Sequence, residues 1–176
     1  MQLKRDFLKH LCYNKIEQNR TEVKRMKWVT HEVVTGVLVY TATEDLTLTA
    51  CAMAGAVIPD RLDGDPRKAR DYWLWRSGHR GWSHWPAPYL FVIAAVLSAG
   101  QGMDLGGDDR WFMLPVAGMV GALLHILEDA VCGKVPLVFP GEKIGIKLFP
   151  VGSFREYFFG LAVVLAAYGI KFLYGS

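Results

Sequence analysis

Apolar residues in this chain do not alternate with polar ones. They run together in five stretches, roughly 30–43, 46–59, 87–101, 111–131 and 157–174, separated by charged segments that carry glycine and proline. Continuous apolar runs of this length predict helices rather than half-buried strands, so the expected fold class is all-α. At about 1.5 Å per residue, only the fourth and fifth stretches approach a hydrocarbon core of about 30 Å. The first two are shorter, contain several threonines and are divided by Glu44 and Asp45, which predicts a tight helical pair joined by a polar turn. Trp28, Trp82, Trp85, Trp111 and Tyr157 lie at the ends of the runs, where a span enters the headgroup layer. The pattern predicts a polytopic membrane bundle of about five apolar helices; a buried helix pair in a soluble domain is the plainer alternative for the first two.

Charge gives the bundle a direction. All but two of the 20 basic residues fall in residues 1–27, in the 61–86 loop or in the 132–156 loop. If the five stretches all cross, these three segments share one side, and the acidic turn at Glu44 and Asp45 shares the other with Asp104, Asp108 and Asp109. The positive-inside rule places the basic side in the cytoplasm, with the N-terminus inside and an inner-membrane, multi-pass location. Residues 1–27 read as a basic amphipathic cytoplasmic segment, with Leu3, Phe7 and Leu11 at helical spacing among lysines. They lack the short apolar core of a secretory signal, so no cleaved targeting peptide is expected. Residues 28–176 form the membrane-embedded domain.

Composition excludes other classes. The chain is 52% hydrophobic yet 21% charged, natural for short spans joined by charged loops. A net charge of +3 gives no reason to expect nucleic acid. Its three cysteines, Cys12, Cys51 and Cys132, are scattered, which argues against a disulfide framework or a thiolate zinc knuckle.

The topology gathers the chemistry. His31 starts the first stretch, Asp60 ends the second, His79 and His84 lead into the third, and His125 with Asp129 lie near the cytoplasmic end of the fourth. Six candidate metal ligands thus meet on one face from four segments, with the choice between His79 and His84 left open. His125 and Asp129, four residues apart on a helix, project from one side. Imidazole and carboxylate suit zinc, or alternatively manganese, as one ion or two. Arg80 offers a planar fork for a phosphate, and Asp63 or Glu128 is a candidate general base. Glu128, one residue from Asp129, is expected to turn about 100° away. Taken singly, each has a plainer reading as an interfacial histidine, a turn aspartate or a topology-setting arginine; the case rests on their convergence, because ionisable groups at membrane depth are costly.

From about Met26 onward, the chain resembles the YdjM-like inner-membrane proteins, a LexA-regulated family described as metal-dependent hydrolases. The resemblance lies in Thr30-His31, Ile58-Pro59-Asp60, the block Gly78-His79-Arg80-Gly81-Trp82-Ser83-His84, and Leu124-His125-Ile126-Leu127-Glu128-Asp129 followed by Val135-Pro136. It implies a metal site and hydrolysis. Where the family commonly carries Pro-Asp-x-Asp-His, this chain has Pro59-Asp60-Arg61-Leu62-Asp63, which leaves one metal as an alternative to two. The order of ligands is also similar to that of the zinc-dependent phospholipase C and P1-nuclease group, which implies phosphoester hydrolysis. The expected partners are therefore membrane lipids and a membrane-associated, phospholipid-like phosphoester. A divalent-metal carrier, sensor or scaffold without catalysis is the alternative, and the oligomeric state is not legible.

Overall fold

The computed structural model describes residues 28–65, 68–101, 110–150 and 153–174. The expected amphipathic segment 1–27 and the acidic residues Asp104, Asp108 and Asp109 lie outside them.

Local caps divide the first half of the chain. Helix α1 (Trp28–Thr43) ends at Glu44, whose left-handed φ of 55° turns the chain. The Asp45 carboxylate then accepts from the backbone N–H groups of Thr47 and Leu48 at 2.7 and 3.1 Å and starts α2 (Leu46–Gly55). Thr41 and Thr43 donate their hydroxyls to carbonyls one turn back, each at 2.8 Å, so these polar side chains are satisfied within an apolar helix. The expected 46–59 run is not one helix. It breaks at residues 56–57, and a short α3 (Ile58–Asp63) begins with Pro59 in its first turn, where the missing N–H breaks no intrahelical bond. A further short helix, α4 (Tyr72–Gly78), is capped by Asp71, and a single 3-10 turn (Trp82–His84) leads into α5 (Pro86–Gln101).

Helix α6 (Arg110–Cys132) is the centre of the bundle, packed against α1, α2, α3 and α5. On one flank Ala122, Ile126 and Ala130, spaced four apart, bury against Tyr89 and Val135. On another, Ala117 meets Val39 and Ala52. Helices α2 and α6 cross backbone to backbone: a Cβ on Gly121 would strike the Ala52 carbonyl, and one on Gly55 would strike that of Gly118. After α6, two short strands, β1 (Val135–Pro136) and β2 (Lys143–Ile144), pair antiparallel with Val135 opposite Ile144. The last helix, α7 (Phe154–Tyr174), rests on α1.

Among the described residues the fold is therefore all-helical apart from this one small ribbon. Among the described residues, two helical segments are long and apolar enough to cross a bilayer, Trp111–Cys132 and Phe154–Tyr174. The segments α1 and α5, with 16 residues each, and α2, with 10, are shorter than a full crossing. Much of α7 lies open, with Leu161, Leu165, Ile170 and Phe172 all exposed. Water disfavours such a surface and lipid accommodates it.

Candidate metal centre

The ends of four segments meet beside the C-terminal half of α6. His31 comes from the first turn of α1, Asp60 from the first turn of α3, His84 from the 3-10 turn, and His125 and Asp129 from successive turns of α6. All five are at most 4% exposed. Pro59 makes this possible at Asp60, because it starts a new helix and brings the carboxylate under α6.

Three imidazoles turn Nε2 inward. His84 Nε2 lies 3.3 Å from His125 Nε2, 3.3 Å from Asp129 Oδ2 and 3.8 Å from Asp60 Oδ1. His125 Nε2 lies 3.9 Å from Asp60 Oδ1 and 3.8 Å from Asp129 Oδ2, and His31 Nε2 lies 3.8 Å from Asp129 Oδ1. Two overlapping donor groups result, His31 with His125 and Asp129, and Asp60 with His84 and His125; within each, the ligating atoms lie within 4.8 Å of one another.

The outer ring atoms explain that orientation. His31 Nδ1 meets Glu128 Oε2 at 2.9 Å, and His84 Nδ1 meets Ser83 Oγ, also at 2.9 Å. An imidazole whose Nδ1 is held in this way presents Nε2 as its ligating atom. His125 Nδ1 and Glu128 Oε1 are buried without a hydrogen-bond partner among the described residues.

Arg80 supports the same carboxylate from outside. Its Nη2 donates to Asp129 Oδ1 at 2.8 Å, and its Nε stands 2.7 Å from Oδ2, out of line for a hydrogen bond. The residue has a left-handed φ of 55°, unusual for a side chain of this size, and its own N–H donates to Asp63 Oδ2 at 2.8 Å. The expected phosphate fork is thus turned onto Asp129.

Asp63 and His79 stand one layer further out. Asp63 accepts a short hydrogen bond from Ser83 and lies 2.6 Å from His79 Nδ1. Burial acts to raise its pKa, but the contacts with His79, Ser83 and the Arg80 N–H together hold it below the ordinary carboxylate value. His79 also stacks on Trp75 with ring centroids 4.5 Å apart. Of the six candidate ligands, five converge; His79 faces Asp63 instead. Glu128, expected to turn away, is buried and reaches His31.

The donor set fits a divalent cation. Asp60, Glu128, Asp129 and Glu156 are all buried, with Arg80 supplying a compensating charge at Asp129. Carboxylate oxygens and imidazole nitrogens that face one another across a buried space are a combination that a cation relieves.

Residues 26–174 match the sequence profile of the YdjM inner membrane protein family. The chain belongs to that family. No curated protein and no solved structure matches it. YdjM proteins are inner membrane proteins, which accounts for the open apolar surface of α7. In this YdjM protein, sequence reasoning missed Glu156 and Ser83. Glu156 accepts from the Thr30 hydroxyl at 3.0 Å and is 1% exposed. The sequence reading starts the last stretch at residue 157, whereas α7 begins at Phe154 and carries Glu156 into the bundle. A carboxylate beside a span's entrance was the available signal.

Proposed function

We propose that the protein is a membrane-bound, metal-dependent hydrolase of phosphoesters, acting on a phospholipid-like or other membrane-associated substrate. The observation that carries this reading is the buried convergence of the His31, His84 and His125 Nε2 atoms with the Asp60 and Asp129 carboxylates. His31, Asp60, His84, His125 and Asp129 would hold one or two ions, with zinc suiting the donor set best. Bound there, a divalent ion supplies Lewis acidity toward a phosphoryl oxygen and toward the attacking water.

The chain's own residues have separable tasks in this reading. Glu128 fixes the His31 ring through Nδ1 and keeps Oε1 free of protein partners, which suits it to receive a proton. Arg80 balances and orients Asp129. Asp63 braces the loop that carries His84, through Ser83, His79 and the Arg80 N–H. An apolar groove of about 350 Å³ lies between α1, α2 and α6, lined by Leu38, Val39, Val116, Val120 and Leu124. With all five apolar helices counted as membrane elements and the basic loops inside, the site faces the cytoplasmic leaflet.

The test is release of phosphate or headgroup from a panel of membrane phosphoesters by zinc-loaded protein. Turnover that disappears with a chelator and in His125→Gln supports the assignment. Metal-loaded protein that leaves the whole panel intact contradicts it.

A further inference from the structure

The two loops around the metal centre present an unusual surface. Val138, Phe139, Ile146 and Leu148, in and beside the ribbon between α6 and α7, are 59–73% exposed. Trp73 and Leu74 of α4 are 61% and 73% exposed. The loops are joined to each other: Lys143 Nζ donates to the His79 carbonyl at 2.7 Å, and Trp85 Nε1 donates to the Val138 carbonyl at 3.1 Å. Together they form a collar whose inner side holds His79, Arg80 and His84 and whose outer side is apolar.

The depth of the collar is fixed by the backbone. The N–H of Ile146 donates to the Ala130 carbonyl at 2.9 Å, and that of Leu148 to the Val131 carbonyl at 2.8 Å. These residues are pinned beside the last turn of α6, where the apolar segment Trp111–Cys132 ends. Ile146 and Leu148 thus lie level with the end of a span, not out in a free loop. Basic residues are interleaved with them: Lys134 and Lys147 on the ribbon side and Lys68 and Arg70 beside α4 are all exposed. Apolar side chains at a span's end, with lysines and arginines among them, match the two layers of an anionic leaflet, acyl chains below and phosphates above.

We propose that this collar is seated in an anionic phospholipid leaflet, with Phe139 and Ile146 below the level of the phosphates, so that ligands reach the metal centre from the lipid rather than from bulk water. The proposal deepens the phosphoesterase reading by giving the source of its substrate, but the seating stands on the collar's own geometry.

The test uses the full-length protein with Cys12, Cys51 and Cys132 replaced by alanine and a bimane label at Phe139→Cys or Ile146→Cys. It is reconstituted in vesicles of phosphatidylglycerol and phosphatidylethanolamine. Leu165→Cys on the open face of α7 serves as the lipid-facing reference, and only variants that keep the melting temperature of the unlabelled parent are compared. The expected result is quenching by doxyl-labelled lipid comparable to that at Leu165, with loss of quenching by aqueous iodide. Labels that iodide reaches and doxyl lipid does not would overturn the proposal. So would labels shielded from both, as beneath a second copy or another protein. Neither quencher reads hydrolysis, so a catalytically silent protein with lipid-quenched labels would remove the hydrolase assignment and leave the collar standing.

Discussion

Three imidazoles point Nε2-first into one buried space beside Asp60 and Asp129, and the residues behind them show how they are held. His31 depends on Glu128 and His84 on Ser83, so the account makes different demands on ligands and on their supports. Glu128→Ala is expected to weaken metal binding about 10–100-fold without abolishing it, read by competition with a calibrated chelator. Loss of a direct ligand, as in Asp60→Ala, is expected to cost more. A ligating imidazole must be neutral, so retained metal should fall on acidification and recover on return to neutrality with added zinc; dialysis at stepped pH followed by elemental analysis reads this directly. At this scale much of the site was legible. His31, Asp60, His84, His125 and Asp129 stood out because polar residues at the ends of apolar runs are expensive. Spacing alone turned Glu128 outward and could not choose between His79 and His84. The inward turn of Glu128 depends on α1 packing beside α6, and the position of His79 depends on Asp63 capturing it, both tertiary facts.

Among the elements, the crossing of α2 and α6 sets how closely α3 can bring Asp60 to His125. Gly121→Val would force a side chain into the Ala52 carbonyl, and overpacking of this kind costs about 1–3 kcal/mol. A lowered melting temperature is expected, accompanied by reduced metal retention because the crossing carries Asp60. Gly169→Ala, on α7 where an added Cβ meets nothing within 4 Å, is expected to leave both unchanged or slightly raise stability. A Gly121→Val protein with wild-type melting and full metal content would show that the crossing does not position the site. Helix locations were largely readable from the apolar runs, and Glu44-Asp45 marked the first turn. The division of the second stretch into α2 and α3 was less visible: Pro59 was in plain view, but a proline in a run of small apolar residues reads equally as a helix end and as the first turn of another.

Across the whole molecule, the 61–86 and 132–156 segments carry ten of the basic residues, His84 of the candidate metal centre and the exposed apolar collar. Segments α6 and α7 have spanning length, and the family is one of the inner membrane. The proposed topology follows if α1, α2 and α5 complete the membrane domain. Reporter fusions after residue 45 and at the C-terminus should then report the exterior, and fusions in the 61–86 loop the cytoplasm; a cytoplasmic C-terminal reporter would reverse the orientation. The sequence could indicate which side is basic because charge asymmetry is a property of composition by segment. It could not show that the 135–148 ribbon folds back onto the end of α6, since those bonds join backbone groups that any sequence possesses.

Elemental analysis of the purified protein beside its His84→Gln, His125→Gln double variant tests most directly whether this buried histidine and aspartate cluster binds a divalent metal. The account expects about one to two equivalents of zinc or manganese per chain in the wild type and nearly none in a double variant that still purifies as a folded membrane protein. A wild-type protein that takes up no transition metal when zinc is supplied, or a double variant that keeps the full complement, would contradict it.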